Sequence, residues 1–212
     1  MQALASITSE LNGPPVKPRV LGAWCCRRRG PFLRRAIHAL FFAAAMPCSG
    51  IAFAQDPTHP AIAGFGAIAP ASGAAVQPDS SLRYRVVFDI TKVDPDRAKP
   101  NPSLDRVARF VNLLGSRNLH ARPGDLVAIV HGPATALVLT DAAYRAKFGS
   151  ANPNLPLITA LAKAGVKVHV CSQALNGAHL APEEVTPLVT ADLSAITTLA
   201  TLQLRGWALI PD

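Results

Sequence analysis

Five consecutive apolar residues, Leu126-Val127-Ala128-Ile129-Val130, set the strongest constraint on this chain. A strand with one wet face alternates apolar and polar residues. A strand apolar at every position is covered on both faces, which is the signature of a parallel sheet sandwiched between helices. The surrounding sequence agrees. Residues 84–90 (YRVVFDI) and 166–170 (VKVHV) read as two more strands, with shorter ones at Leu188-Val189-Thr190 and at residues 207–210 (WALI). Helical spacing separates them. Ser103 is the expected N-cap of a helix carrying Leu104, Val107, Ala108, Val111 and Leu114 inward. Thr140 and Asn154 are expected to cap two more helices, the second with Leu157, Ile158 and Leu161 on one face and Gly165 at its end. Asp192 is expected to cap a last helix with Leu193, Ile196, Ala200 and Leu204 inward. The expected fold is a three-layer α/β/α sandwich around a mainly parallel sheet of about five strands.

The first quarter of the chain belongs to something else. Arg27, Arg28, Arg29, Arg34 and Arg35 precede an apolar run, Ala36 to Met46, and then Ala52-Phe53-Ala54, an A-x-A cleavage site. Residues 27–54 thus read as an export signal, with Gln55 opening the mature chain. The apolar run is too short for a stable membrane span. Both the general and the twin-arginine export routes fit, because Arg28-Arg29 stands one residue out of the usual register with Phe32-Leu33. The first 26 residues make an overlong n-region, so translation is expected to start later, at Val20 or Leu21. The expected organisation is an export leader over residues 1–54, a flexible Pro/Gly/Ala linker over 55–82, and one α/β domain over 83–212. The expected location is the periplasm or the exterior.

Removing the leader changes the charge. The chain has 21 Lys and Arg against 13 Asp and Glu. Seven of the cations and one of the anions precede Gln55, leaving 14 against 12, a net +2. A nearly neutral domain gives no electrostatic case for nucleic-acid binding. No nucleotide-binding glycine motif, C-x-x-C pair or nucleophile elbow occurs. No histidine or cysteine pair has metal-ligand spacing, so neither a metal nor a cofactor is expected.

The cysteines sort in the same way. Cys25, Cys26 and Cys48 fall in the leader, leaving Cys171 as the one thiol of the domain. A single cysteine in an oxidising compartment is buried, reactive, or paired between chains. Cys171 ends a strand and precedes a helix start, Ser172-Gln173-Ala174, whose unpaired N–H groups would favour a thiolate. In a parallel sheet the C-terminal strand ends share one edge, where ligands sit. Residues 89–102, His131 to Ala136 and Cys171 to Gly177 converge there. His131 is the expected partner of the thiol, with Gly132, Ser172 and Gln173 around the substrate. His169 shares the face of Cys171 by strand alternation. The competing reading is a buried, silent cysteine beside a small binding pocket.

Four segments taken in order resemble the DsrE/DsrF-like family of sulfur-relay proteins. They are residues 127–133 (VAIVHGP), 161–166 (LAKAGV), 168–171 (VHVC) and 202–210 (LQLRGWALI). The resemblance covers about residues 83–212 and places Cys171 at the family's cysteine position. It implies an α/β/α domain that assembles into homo-oligomers, trimers or hexamers. It also implies a persulfide carried on Cys171 and exchanged between sulfur donor and acceptor proteins. An export leader and a long linker depart from the cytoplasmic members, which puts the partners in question more than the fold.

Overall fold

The computed structural model describes residues 56–212; the expected leader lies outside the described residues. Five strands form one sheet: β1 (Val86–Ile90), β2 (Leu126–Val130), β3 (Lys167–Cys171), β4 (Val189–Asp192) and β5 (Ala208–Ile210). Every pairing is parallel, in the order β4-β3-β2-β1-β5. All five residues of β2 are buried, as its unbroken apolar run requires.

Five helices connect the strands: α1 (Pro102–Gly115), α2 (Asp141–Phe148), α3 (Leu155–Lys163), α4 (Ser172–Gly177) and α5 (Ala195–Leu204). The larger core joins Val86, Phe88, Ile90, Ala128, Val130, Val168 and Val170 to Leu104, Val107 and Ala108 of α1 and Leu157, Ile158 and Leu161 of α3. The opposite sheet face holds a smaller cluster of Val87, Val127, Ile129, Cys171 and Ala195, with Leu199, Leu202 and Trp207 packed on it. That face is covered by α5. The first four strands step across the sheet in sequence order. The chain then returns through α5 to lay β5 beside β1. No helix of the described residues is long and apolar enough to cross a membrane.

Three local expectations are corrected. Helix α1 is capped by Asn101, whose side chain accepts from Ser103 N at 2.9 Å. Pro102 can occupy the first turn because it has no N–H to satisfy, which moves the cap ahead of Ser103. Helix α5 is capped by Ser194, while Asp192 ends β4. The later start rotates the helix. Ala195, Leu199 and Leu202 face the sheet, and Leu193, Ile196 and Leu204 are 71, 79 and 89 % exposed.

The third concerns the expected tether. Residues 56–82 contain no helix or strand, but their first half is packed on α1. Asn112, fully buried, accepts from Ala61 N at 2.9 Å and Ile62 N at 2.7 Å. Its amide donates to Phe65 O and Gly66 O at 2.8 and 2.9 Å. Gly66 sits at φ +63°, and a Cβ there would lie 2.1 Å from Arg109 N, so only glycine permits the approach. A composition of proline, glycine and alanine suggests a free linker. Two polar residues of α1, the buried Asn112 and Asp105, which accepts from Gly66 N, fix its first half instead.

The edge opposite the expected site is held by an ion pair. Arg83 donates to Asp125 twice, at 2.7 and 2.8 Å, and Asp125 is buried at the start of β2. The Arg83 guanidinium holds the Asp125 carboxyl below the usual aspartate range.

Candidate functional site: the Cys171 edge

Cys171 is the last residue of β3 and is 5 % exposed. It belongs to the α5 face, in the cluster with Ile129 and Ala195. Strand alternation then places His169, two residues earlier, on the same face. Asp89 and His131 also belong there, two residues beyond Val87 and Ile129 respectively. The last rung between β2 and β3 pairs Val130 with Val170. His131 continues in extended conformation beyond it, and its N–H donates to Ile90 O at 3.0 Å. His131 thus stands one position past the Val130–Val170 rung, at the same sheet edge as Cys171.

Neither histidine is hydrogen-bonded to the thiol; each is turned to a carboxylate. His131 Nε2 lies 2.6 Å from Asp89 Oδ1, with both side chains about one-quarter exposed. His169 Nδ1 lies 2.8 Å from Asp192 Oδ2. Two imidazole–carboxylate pairs therefore flank the β3 end, one reaching to β1 and the other to β4. Asp192 is also the Cα partner of Cys171 across the β3–β4 ladder. Its Oδ2 accepts a second hydrogen bond, from Thr198 Oγ1 of α5 at 2.7 Å. The start of α5, which covers Cys171, is thus tied to the strand ends.

The remaining expected residues line the same edge. Gly132 opens a 3-10 turn (Gly132–Val138) at φ +57°. Ser172 begins α4, a helix of six residues whose N-cap, Cys171, makes no capping bond with its side chain. Gln173 donates to Leu193 O at 3.3 Å, bridging α4 to the segment before α5. Among the described residues no group of three or more His, Cys, Asp or Glu is placed to hold a metal ion.

Sequence reasoning did not find Asp89, Asp192 or Thr198. Asp89 was within reach: it is the one acidic residue of β1, on the face and at the edge of the other candidates. Asp192 was assigned to a helix cap, and the role of Thr198 depends on a helix rotation that periodicity did not fix.

A further carboxylate organises the rim. Asp212 accepts from Thr91 N and Lys92 N, at 2.7 and 2.5 Å, and lies 3.4 Å from the Arg106 guanidinium. Burial acts to raise the pKa of Asp212. Hydrogen bonds from the Ser103 hydroxyl and the Lys92 and Thr91 N–H groups outweigh it, and the carboxyl sits below its ordinary value. The loop after β1 is thereby clasped beside Asp89.

The model of the DsrE/DsrF-like family matches residues 85–211, the whole sheet and every element that builds this edge. The chain belongs to the DsrE/DsrF-like family. At the family level this membership points to sulfur relay. A solved structure of a protein of unknown function from Methanobacterium thermoautotrophicum (MTH1491) is similar at 21 % identity and a TM-score of 0.46. The match covers 61 % of this chain and 99 % of that one. No curated protein matches the chain significantly.

Proposed function

We propose that this DsrE/DsrF-like domain is a sulfur carrier that holds a sulfane sulfur on Cys171. The observation that carries the reading is the placement of the domain's one thiol at the C-terminal edge of a parallel sheet, between two histidine–carboxylate pairs. The Cys171 thiolate attacks the terminal sulfur of a donor persulfide or polysulfide. A bond forms between Sγ and that sulfur, the donor's sulfur–sulfur bond breaks, and the donor leaves as a thiolate. The proton first held by the Cys171 thiol ends on that leaving group, with His131 as the proposed shuttle. An acceptor thiolate then attacks the outer sulfur, and Cys171 departs as the thiolate it began as. Electrons balance without an added oxidant or reductant, and the carrier needs no turnover of its own. Gly132, Ser172 and Gln173 are the proposed neighbours of the incoming sulfur compound. The arginine-rich leader and its A-x-A site support action in the periplasm or outside the cell.

Assembly into a homo-oligomer, a trimer or hexamer, belongs to the same proposal. Its support is the apolar outer face left by α5, where Leu193, Ile196 and Leu204 are exposed.

The test is intact mass after exposure to polysulfide. The carrier reading expects a gain of one sulfur atom, absent in Cys171→Ser. A native protein that gains nothing, though its unfolded thiol reacts, would sink the reading. That result would favour a binding module with a silent cysteine, which the 5 % exposure of Cys171 supports. Light scattering tests assembly: Ile196→Glu is expected to lower the mass, and an unchanged monomer in both proteins removes that part.

A further inference from the structure

A cavity remote from Cys171 lies beside the C-terminal end of α1. It has a volume of about 690 Å³, within the range of small-molecule sites. Its floor is Tyr84, Phe110 and Leu113, and its roof is the stretch through Pro70 and Val76. Tyr84 and Phe110 stand edge-to-face, 6.1 Å apart at 68°. Leu113 is 43 % exposed on the floor and Val76 is 89 % exposed on the roof.

The roof is an arch braced from within. Ala74 N donates to Ala71 O at 3.1 Å, and Gln77 Nε2 donates to Ala71 O and Ala74 O at 2.9 and 3.1 Å. One foot of the arch is fixed where Asp105 accepts from Gly66 N at 2.7 Å. The other is fixed where Asp79 N donates to the Tyr84 hydroxyl at 2.7 Å. The polar groups that brace the arch are therefore engaged with one another, while Ser72 and Asn118 stand at exposed positions of the rim. Of the charged residues lining it, Asp56 is bound to Thr58 and His59, and Arg117 is exposed to water. What remains to select an occupant is apolar area and two aromatic rings.

We propose that this cavity binds an uncharged, apolar, ring-bearing small molecule, in a site separate from the Cys171 edge. Buried aliphatic and aromatic area drives the binding, and the edge-to-face pair of Tyr84 and Phe110 favours a flat ring over a linear chain. The site does not rest on the sulfur-carrier reading.

The neutral fluorophore N-phenyl-1-naphthylamine is the probe. Titrated into the purified protein, it is expected to give a saturable fluorescence gain with one site per chain. Leu113→Glu and Val76→Glu, both at exposed positions that do not build the core, are each expected to weaken it on the order of tenfold. Leu193→Glu, just ahead of α5, is expected to leave it unchanged, and so is Cys171→Ser. No saturable gain overturns the proposal. So does loss in Leu193→Glu with retention in the two cavity variants, because the probe would then report the apolar face of α5.

Discussion

Cys171 and Asp192 face each other on the last rung of the β3–β4 ladder. The thiol is buried beneath the start of α5, and the carboxylate beside it holds that start in place through Thr198. The connection leaving β4 runs through α5 over one sheet face. The one leaving β3 passes through α4, whose Leu175 enters the core of the other. Ligands in parallel sheets bind where the connections of adjacent strands diverge, and Cys171 and Asp192 end two such strands.

Access to Cys171 should therefore depend on the first turn of α5. Thr198→Val deletes a hydrogen bond worth about 1 kcal/mol, and native alkylation of Cys171 is expected to speed up roughly fivefold. Thr201→Val, at an exposed position of the same helix, is the control. Iodoacetamide labelling followed by mass provides the rates, and equal rates in the two variants would exclude the turn as the barrier.

The burial of Cys171 also makes a prediction for stability. The other buried members of its cluster, Val87, Val127, Ile129 and Ala195, are all apolar. Cys171→Ser puts a hydroxyl among them at a cost of about 1–3 kcal/mol, whereas Cys171→Ala costs about 1 kcal/mol or less. Urea melts of both variants decide this. A serine variant as stable as the wild type would mean that the thiol contacts water more than the packing shows.

Acid should weaken the fold through Asp125 and Asp212. Both carboxyls sit below their ordinary values in the folded chain, by the Arg83 guanidinium in one case and by hydrogen bonds prevailing over burial in the other. A depressed carboxyl contributes stability that is full above its unfolded pKa and fades as pH falls through the folded one. The melting temperature is thus expected to drop below about pH 4. Asp125→Asn should lower stability near neutrality by about 1–3 kcal/mol and flatten that acid limb. Thermal melts across the pH range check both; an acid limb as steep in the variant as in the wild type would clear Asp125.

Asn112 should govern residues 56–68. Asn112→Leu removes the partner of five backbone groups, Ala61 N, Ile62 N, Ile62 O, Phe65 O and Gly66 O, and about 2–4 kcal/mol of stability is expected to go with them. The segment should then become the first site of protease cleavage. Limited proteolysis with peptide mapping gives the answer, and a segment equally resistant in both proteins would show that Ile62 and Gly66 hold it unaided.

The sheet was legible in the sequence because β2 has no polar residue to leave exposed and because Cys171 follows an alternating strand. The positions of Cys171, His131 and Gly132 at one edge followed from topology alone. The partners of the histidines did not. Asp89 and Asp192 are found by register, which single-chain periodicity does not supply. The outward turn of Leu193, Ile196 and Leu204 was hidden for a different reason: in a helix apolar nearly all round, the pattern names no buried face. The packed segment before β1 was missed because its anchor lies 46 to 51 residues further along the chain.

The pairing of β5 with β1 has a consequence for how the molecule is made. The outer edge of β1 waits for residues 208–210, more than a hundred positions later, before its hydrogen bonds are met. Until then the growing chain presents an open, apolar strand to anything that can add to it. Loss of the last few residues would return the finished domain to that condition, turning an interior strand into a template for aggregation.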